Sequence, residues 1–315
     1  MSVAFLFSPQ GSQAVGMGRD LAEASPAARA VFDEADATLG WSVSATCWNG
    51  PEDRLSDTRQ TQPCLLTASV AGLRALEERS PRAPSMVAGH SVGEYAALVA
   101  AGVLDFAAAL RLVSRRAWLM ADADADGGMA AVIGLGRDEV QRVVEAVGRP
   151  TELVVANDNA PGQVVISGQR DSLALAEDAM RTAGARRFIP LPVSGAFHSP
   201  LMAGVAEELA EAFESEAWSD ARVPVVSNVT AEPLTDADRL RALLAEQVRS
   251  PVEWVRCVQR MVDDGVEAMV ELGSGAALVG MVKRIAPSVT TVAVTDRASL
   301  EVAAELVGSP SEAPV

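Results

Sequence analysis

Positive charge is scarce in this sequence, and lysine is almost missing. Its 315 residues include 26 Lys and Arg against 42 Asp and Glu, a formal net charge of −16, and Lys283 is the single lysine. Nucleic acid is therefore not an expected partner, because binding to phosphates requires a positive surface. An acidic protein partner would need a local group of arginines to overcome the overall repulsion.

Cysteines and long apolar runs are also few. The three cysteines, Cys47, Cys64 and Cys257, lie far apart and lack the spacing of a metal site or of a disulfide framework. The apolar run near the start covers only residues 3–7 and follows no basic segment. A signal peptide or a membrane span needs a longer run, so we expect a cytoplasmic protein without membrane contact. From the spacing of the cysteines we expect no metal ion.

Short apolar runs alternate with helical patterns along most of the chain. Strands are predicted at VAFLF, MVAG, VPVVSN, AMVEL and TTVAV, with helices between them. Strands that are apolar throughout and separated by helices are typical of a parallel sheet covered on both faces. The predicted fold class is therefore α/β, and the chain is long enough to bury such a core.

One block breaks this alternation. Residues 127–192 contain GGMAAVIG, RDEVQRVVEAVG, ELVVAN, QVVISG, RDSLALAEDAMRTAG and RRFIPLP, which predict strand, helix, strand, strand, helix and strand. This is the order of a ferredoxin-like subdomain. We therefore predict a discontinuous larger domain, residues 1–126 and 193–305, with residues 127–192 inserted in it. The end of the chain, residues 306–315, contains GSPSEAPV and is expected to be a disordered tail.

The sequence GHSVG, residues 89–93, places a serine between a predicted strand and a predicted helix. It fits the G-x-S-x-G pattern of a nucleophile elbow, whose sharp turn leaves no room for side chains at the two glycines. The N–H groups at the start of the helix favour developing negative charge. A serine that merely caps the helix is the alternative, but the strand–turn–helix context favours Ser91 as a nucleophile.

Only two histidines are available to activate this serine. His90 is adjacent to Ser91, and on a sharp turn its side chain is expected to point away from that of Ser91. His198 lies at a predicted strand-to-helix junction, where loops commonly present catalytic groups. It could simply cap that helix, yet the serine needs a base, which favours His198 as the general base. No acidic residue between the two stands out at a strand end, so a dyad oriented by a backbone carbonyl fits the sequence.

An arginine occupies an apolar helix stripe in the sequence LRLVSRRAWLM. The residues three and four positions away from Arg116 are all apolar: Leu112, Val113, Leu119 and Met120. The preceding Arg115 lies on a different face and is expected at the surface. A buried arginine needs an anionic partner, because an unpaired buried charge is costly. From the residues alone, that partner is an internal carboxylate or a ligand, unless the side chain reaches solvent.

Seven segments resemble, in the same order, the malonyl-CoA:acyl carrier protein transacylases. They are FLFSPQGSQAVGMG, TRQTQPCLLTASVAGL, GHSVGEYAALVAAGVL, MAAVIGL, ANDNAPGQVVISG, LPVSGAFHSPLM, and SPVEWVRCVQRM followed by GVEAMVELGSGAALVGMVKRI. They extend from residue 5 to residue 285, which is nearly the whole chain. The resemblance implies an α/β-hydrolase-like parallel-sheet core with an inserted ferredoxin-like subdomain.

The resemblance also implies roles for single residues. Ser91 matches the acyl-accepting serine of the family, and His198 matches its general base. The backbone N–H groups of Gln10 and Val92 match the oxyanion hole, in which each donor typically contributes about 10²–10³ in rate. Gln247 matches the residue whose backbone carbonyl orients the histidine.

Three further positions concern the substrate. Arg116 matches the arginine that binds the free carboxylate of malonyl, which a planar guanidinium can hold in a bidentate fashion. Gln62 and Asn157 lie in family motifs and are expected near the bound substrate. Pro9 departs from the family, which has glycine there; it removes an N–H next to Gln10, but we expect tolerance because the oxyanion donor is Gln10 itself.

The implied reaction is a ping-pong transfer of malonyl from malonyl-CoA to the phosphopantetheine thiol of an acyl carrier protein, supplying fatty acid synthesis. No cofactor and no metal are implied, and a monomer is expected to suffice. Because carrier proteins are usually acidic, transient binding is expected to use local cations, for which the candidates are Arg186, Arg187, Lys283 and Arg284.

Three alternatives remain at this point. A trans-acting malonyl acyltransferase of a polyketide synthase uses the same chemistry and cannot be separated by sequence. A hydrolase of acyl carrier protein thioesters has no need of a carboxylate-binding arginine, so Arg116 argues against it. A non-catalytic carrier-binding module does not need Ser91, His198 and Gln10, all of which are present.

Overall fold

The computed structural model describes residues 1–123, 126–148, 151–193 and 195–308. Its strands are β1 (Val3–Phe7), β2 (Met86–Gly89), β3 (Gly127–Ile133), β4 (Leu153–Ala160), β5 (Gln163–Gln169), β6 (Arg187–Pro190), β7 (Val225–Val226), β8 (Pro233–Leu234), β9 (Ala268–Leu272) and β10 (Thr290–Val294). Its helices are α1 (Arg19–Ala24), α2 (Pro26–Leu39), α3 (Val43–Asn49), α4 (Glu52–Ser56), α5 (Thr58–Arg79), α6 (Gly93–Ala101), α7 (Phe106–Asp122), α8 (Arg137–Val147), α9 (Arg170–Thr182), α10 (Ala203–Phe213), α11 (Ala237–Gln247), α12 (Trp254–Asp263), α13 (Ala277–Ile285) and α14 (Arg297–Gly308). A short 3₁₀ helix covers Pro200–Met202.

The larger sheet has the strand order β10-β9-β1-β2-β7-β8. The first five strands are parallel to their neighbours, and β8 is antiparallel to β7. The predicted parallel sheet is therefore confirmed. The strand predicted over residues 223–228 is shorter than expected, and β8 was not predicted. After Val226 the chain turns into β8: the Ser227 N–H bonds the Glu232 carbonyl next to the Val226–Pro233 pair, and the Asn228 side chain binds Gly89.

Both faces of this sheet are covered, as the apolar strands predicted. Every residue of β1 is buried. Phe5 and Phe7 belong to a large cluster on one face that includes residues of α2, α5 and α7. Ala4 and Leu6 alternate with them and belong to a second cluster with α12 and α13 on the other face. This alternation follows from the two-residue period of a strand.

The second sheet is antiparallel and has the order β4-β5-β3-β6. Together with α8 and α9 it encloses a separate apolar cluster that includes Val140, Ile166 and Met180. Strand β4 is longer than predicted: it continues to Ala160, with irregular pairing after Val155. As a result Asn157, expected at a strand end, lies within a buried strand.

Strand β4 also bonds to the segment between α11 and α12. Its Asn157 forms an isolated parallel bridge with Val252. The N–H of Asp158 donates to the carbonyl of Val252 at 3.0 Å, and the N–H of Val252 donates to the carbonyl of Ala156 at 2.8 Å. These backbone bonds hold the smaller sheet against the segment between α11 and α12.

The end of the chain differs from the prediction. A tail was expected from residue 306 onward, but α14 continues to Gly308 and Val307 is buried. The apolar stripe formed by Leu300, Ala303 and Val307 explains the longer helix. The rest of the predicted tail, residues 309–315, lies outside the described residues. Over the described part of the chain, no helix combines the length and apolarity needed to cross a bilayer.

Candidate active site

Ser91 lies on a sharp turn between β2 and α6, with a positive φ of 55°. A Cβ atom at Gly89 would lie 1.9 Å from the carbonyl carbon of Gly93, and a Cβ at Gly93 would lie 2.2 Å from the carbonyl oxygen of Phe7. Both distances are far below contact distance. The prediction that this turn requires glycine at both positions is therefore confirmed.

The turn is held by Asn228, a residue that the sequence did not single out. Its Oδ1 accepts a hydrogen bond from the N–H of Ser91 at 2.7 Å, and its Nδ2 donates to the carbonyl of Gly89 at 2.7 Å. Asn228 is fully buried. Its position directly after an apolar strand was the only local signal available, and nothing in it indicated a bond to Ser91.

His198 contacts the hydroxyl of Ser91 although the two residues are far apart in the chain. The Oγ of Ser91 is 2.8 Å from Nε2 of His198, and Nδ1 of His198 is 2.9 Å from the backbone carbonyl of Gln247. Because a carbonyl only accepts, Nδ1 carries the proton and Nε2 is free to accept the proton of Ser91. His198 itself has a positive φ of 58°.

The imidazole of His198 is neutral at neutral pH. Burial, with a further contribution from the positive charge of Arg116, lowers the pKa of His198 to about 3. A neutral ring is the form that can accept a proton from a hydroxyl.

His90 has different neighbours. Its Nε2 is 2.7 Å from Oδ1 of Asn159, and its ring packs against Trp254 with the centroids 5.4 Å apart. Burial lowers the pKa of His90 to about 4. Within the described ranges of the chain, His90 makes no hydrogen bond with Ser91, as expected for adjacent residues on a sharp turn.

Arg116 is almost fully buried, with 1% of its surface exposed, so the stripe in α7 predicted its burial correctly. It donates from NH1 to Oε1 of Gln62 at 2.6 Å, and from NH2 to Oγ of Ser91 at 3.0 Å and to Oε1 of Gln247 at 3.2 Å. Its Nε has no hydrogen-bond partner. Burial lowers the pKa of Arg116.

No carboxylate among the described residues lies within ion-pair distance of Arg116. The internal Asp or Glu partner that the sequence allowed is thus not found in this part of the chain, and neither is an escape to solvent. Arg115, one residue earlier, pairs with Glu208 at 2.6 Å, and both of these side chains are 53% exposed. Arg116 is therefore a buried cation that faces the nucleophile; its hydrogen bonds in the described residues go to neutral groups, and the charge of Glu94 acts on it from beyond ion-pair distance.

Gln247 connects the groups around Ser91. Besides its backbone contact with His198, its side-chain Nε2 donates to the carbonyl of Ser91 at 3.0 Å and to Oε2 of Glu94 at 2.6 Å. Glu94 is 2% exposed, and burial raises its pKa to about 7. The sequence did not single out Glu94, although an acidic residue in the apolar helix GEYAALVAA was a visible signal.

Gln10 lines the same cleft as the nucleophile, and Val92 directly follows Ser91 in the chain. Gln10 follows β1, and its side chain donates to Oγ1 of Thr58 at 3.3 Å. Val92 is the N-terminal cap of α6. Within the described residues neither backbone N–H of these two donates a hydrogen bond. The preceding Pro9 stabilises the loop through its carbonyl, which accepts from the hydroxyl of Ser12 at 2.6 Å.

A cleft of about 240 Å³ opens at this point and is lined by Gln10, Ser91, Asn157 and His198 together with apolar residues such as Met129 and Phe197. One wall, with Met129 and Asn157, belongs to the smaller sheet. Asn157 is 5% exposed, and its Nδ2 has no hydrogen-bond partner. Gln62 does not line the cleft and contacts Arg116 instead.

Most of the residues singled out in the sequence thus meet in one place. The chemistry available there is that of a hydroxyl nucleophile with a neutral histidine base and a buried guanidinium nearby. Among the described residues there is no group of three or more potential metal ligands, and all three cysteines are buried and unbridged.

Comparisons with known proteins agree on one family. The acyl transferase domain matches residues 4–306 of the chain. The malonyl CoA-acyl carrier protein transacylase of Escherichia coli (strain K12) is 42% identical over 305 residues, which cover 96% of this chain and 99% of that protein. The enzyme with the same name from Bacillus subtilis (strain 168) is 42% identical over 304 residues, covering 96% of each.

Solved structures give the same result. An acyl carrier protein S-malonyltransferase from Vibrio cholerae superposes with a TM-score of 0.93 at 41% identity, covering 96% of this chain and 100% of that one. A chain from the complex of a type II PKS acyl-carrier protein with its malonyl-transacylase superposes with a TM-score of 0.94 at 41% identity, covering 97% and 100%.

Proposed function

The chain belongs to the acyl transferase domain family, and from this premise we propose that it transfers malonyl from malonyl-CoA to the phosphopantetheine thiol of an acyl carrier protein. It is an acyltransferase, and the transacylases that it resembles are named for these two substrates. The observation that carries the choice of malonyl is Arg116. A buried guanidinium 3.0 Å from the nucleophile, with no carboxylate partner in the described residues, fits an acyl group that ends in a carboxylate.

In the first half-reaction we propose that His198 Nε2 takes the proton of the Ser91 hydroxyl while Oγ attacks the thioester carbonyl. The carbonyl carbon becomes tetrahedral, and its oxygen carries the negative charge. When the intermediate collapses, the carbon–sulfur bond breaks, and the proton on His198 passes to the leaving coenzyme A thiolate. The product is malonyl-Ser91 and free coenzyme A.

The second half-reaction reverses these steps with a different thiol. The phosphopantetheine thiol of the carrier protein enters, His198 accepts its proton, and the thiolate attacks the ester carbonyl. The bond to Oγ of Ser91 breaks, and the proton returns from His198 to Ser91. The carbonyl of Gln247 supports both halves, because its bond to Nδ1 keeps the same ring tautomer throughout.

The developing oxyanion needs donors that are already in place. We assign this role to the backbone N–H groups of Gln10 and Val92, which lack acceptors among the described residues. Asn228 supports the assignment indirectly, because its two bonds hold the turn on which Ser91 and Val92 lie. Asn157, with its unpaired Nδ2 in the cleft, is assigned a contact with the polar arm of the substrate.

The finer features of the architecture follow the same proposal. The order and pairing of β3, α8, β4, β5, α9 and β6 support a ferredoxin-like subdomain over residues 127–192, inserted into a hydrolase-like core. We propose that the reaction needs no cofactor, because His198 accounts for every proton transfer above. All of these groups come from one chain, which supports a monomer as the functional unit, and we place it in the cytoplasm.

A basic surface where α13 meets the smaller sheet is proposed to receive the acidic carrier protein. Arg187 lies opposite Ile133 in the β3–β6 pair, and the N–H of Arg186 donates to the carbonyl of Ile133 at 2.8 Å. Arg284 donates to the side chain of Gln163, next to the β4–β5 turn, at 2.7 Å. These arginines and Lys283 are exposed and form no ion pair within the described parts of the chain. In a protein with net charge −16, such a group of cations without carboxylate partners in the described residues is unusual.

The pathway that receives the malonyl group is proposed to be fatty acid synthesis. Supply of a polyketide synthase is the alternative, because one similar structure contains a carrier protein of that kind. Hydrolysis is disfavoured by the same Arg116 that favours malonyl, since a hydrolase of simple acyl groups gains nothing from a buried cation.

The proposal is tested by the mass of the intact protein after incubation with malonyl-CoA alone. We expect one added malonyl group on the parent protein and none on Ser91→Ala. Peptide mapping should place the label on Ser91. A label on Ser12 or Ser199, or a labelled Ser91→Ala variant, would show that the nucleophile is another residue.

A further inference from the structure

A buried carboxylate, that of Glu94, lies in the first turn of α6, just after the nucleophile Ser91. Glu94 follows Ser91 by three residues in α6 and does not line the cleft. Its Oε2 accepts hydrogen bonds from Nε2 of Gln247 at 2.6 Å and, more weakly, from the backbone N–H of Asn228 at 3.4 Å. Glu94 therefore contacts the two residues that hold His198, Arg116 and the Ser91 turn in place, while touching none of the reacting atoms.

The side-chain amide of Gln247 has a single orientation that satisfies all of its neighbours. A primary amide offers two donors on nitrogen and an acceptor on oxygen. Both donors are used, one by the carbonyl of Ser91 and one by Oε2 of Glu94, and the oxygen accepts from Arg116. Turning the amide over would bring its oxygen against two acceptors and its NH₂ against the guanidinium.

The position of Arg116 depends on this orientation. Its NH2 is held by the oxygens of Gln247 and Ser91, and its NH1 by the oxygen of Gln62. Once Ser91 is acylated, its Oγ is part of an ester and becomes a poorer acceptor. The amide oxygens of Gln62 and Gln247 then hold the guanidinium, so a rotated Gln247 amide would displace it from the acyl group.

We propose that Glu94 is a positioning residue, which fixes the amide of Gln247 and thereby aligns the guanidinium of Arg116 with the free carboxylate of the acyl group. This inference rests on the proposed function. Position 94 must supply an acceptor oxygen at the place of Oε2, because the N–H of Asn228 and Nε2 of Gln247 both donate to that atom. A glutamine at position 94 can supply that oxygen, whereas a methionine of similar size cannot.

The experiment compares Glu94→Gln and Glu94→Met. For each variant, kcat/KM is measured for the transfer of malonyl from malonyl-CoA and of acetyl from acetyl-CoA to the same carrier protein. Glu94→Gln should keep the malonyl-to-acetyl ratio within about threefold of the parent. Glu94→Met should lower that ratio by about tenfold or more, the scale of one misplaced hydrogen bond to a charged group, through a higher KM for malonyl-CoA.

Glu271 provides a matched control. It is also a fully buried glutamate whose pKa burial raises to about 7, but its carboxylate accepts from Ser8 and from the N–H of Val279, away from Arg116. Glu271→Met should lower the melting temperature without changing the malonyl-to-acetyl ratio. An equal change of ratio in Glu271→Met and Glu94→Met would show a general effect of losing a buried carboxylate and would overturn the proposal.

Two further results would overturn it. One is a Glu94→Met ratio within about threefold of the parent, a change too small for a lost alignment. The other is an equal drop in Glu94→Gln and Glu94→Met, which would mean that the charge matters and the acceptor does not. Circular dichroism and melting temperature identify the folded variants.

A second arm decides the matter if Glu94→Met does not fold. Gln247→Met removes the same hydrogen bond from the other side, together with the side-chain bonds to Arg116 and to the carbonyl of Ser91, and leaves the backbone carbonyl that faces His198. Gln247→Met should lower the malonyl-to-acetyl ratio, as Glu94→Met is expected to. The double variant that also carries Glu94→Gln should have the same ratio as Gln247→Met alone. An unchanged ratio in Gln247→Met, or a further drop in the double variant, would refute the inference. If the parent takes up no malonyl on Ser91, it is the proposed function that fails.

Discussion

Replacing Arg116 with alanine should separate binding of the acyl carboxylate from the chemistry at Ser91. The guanidinium is proposed to contact only the far end of the acyl group. A charge-assisted hydrogen bond contributes about 1.5–3 kcal/mol. Since about 1.4 kcal/mol corresponds to a factor of ten, malonyl transfer should lose roughly 10- to 150-fold in kcat/KM.

Acetyl-CoA has no carboxylate and should not lose that interaction. Arg116→Ala does leave the side-chain oxygens of Gln62 and Gln247 without their donor, which weakens the fold for either substrate. The informative quantity is therefore the ratio of kcat/KM for malonyl-CoA to that for acetyl-CoA, measured with one carrier protein. This ratio should fall by the same factor of roughly 10 to 150, because only malonyl-CoA loses the contact between its carboxylate and Arg116.

Arg115→Ala is the matched control for this prediction. Arg115 precedes Arg116 in the same helix but pairs with Glu208 at the surface. An exposed ion pair contributes little, so both the ratio and the melting temperature should stay close to the parent. If Arg116→Ala lowers malonyl and acetyl transfer by the same factor, Arg116 is structural and the preference for malonyl has another source.

The remaining predictions concern the base and the carrier protein. His198→Ala should slow acylation and deacylation by about 10²–10⁴, whereas a folded His90→Ala should keep much of the activity; the opposite ranking would exchange the two roles. Because burial lowers the pKa values of His198 and His90 to about 3 and 4, neither ring should titrate between pH 8 and about 5.5 in an NMR spectrum of the folded protein. A midpoint near 6.5 for either ring would contradict the described burial. Arg187→Glu with Arg284→Glu should raise KM for the carrier protein and leave acylation by malonyl-CoA unchanged; an unchanged KM places the docking surface elsewhere.

Local sequence patterns were sufficient for several features of this protein. The apolar strands predicted a parallel sheet covered on both faces. The glycines of GHSVG predicted a turn that has no room for side chains at Gly89 and Gly93. The apolar neighbours of Arg116 predicted its burial. Each of these signals lies within a few residues, where the geometry of a strand, a turn or a helix determines which side chains share a face.

Other residues around Ser91 could not be found this way. Asn228 binds the N–H of Ser91 and the carbonyl of Gly89 from 137 and 139 positions away, and its own surroundings look like the end of an ordinary strand. Strand β4 continued past its predicted end because its backbone pairs with β5 on one side and bonds Val252, between α11 and α12, on the other. In both cases a distant partner satisfies the hydrogen-bonding groups, and no local pattern records that partner.

The sequence by itself determined the elements, the turn at Ser91 and the burial of a cation in α7, because these depend on neighbouring residues. The tertiary structure decided what surrounds that cation. Which groups surround Arg116 depends on where α5, α6 and α11 lie relative to α7, because these helices carry Gln62, Glu94 and Gln247. The electrostatic character of the cleft is therefore a property of packing between distant segments, since burial and the distance between charges are set only when the chain is folded.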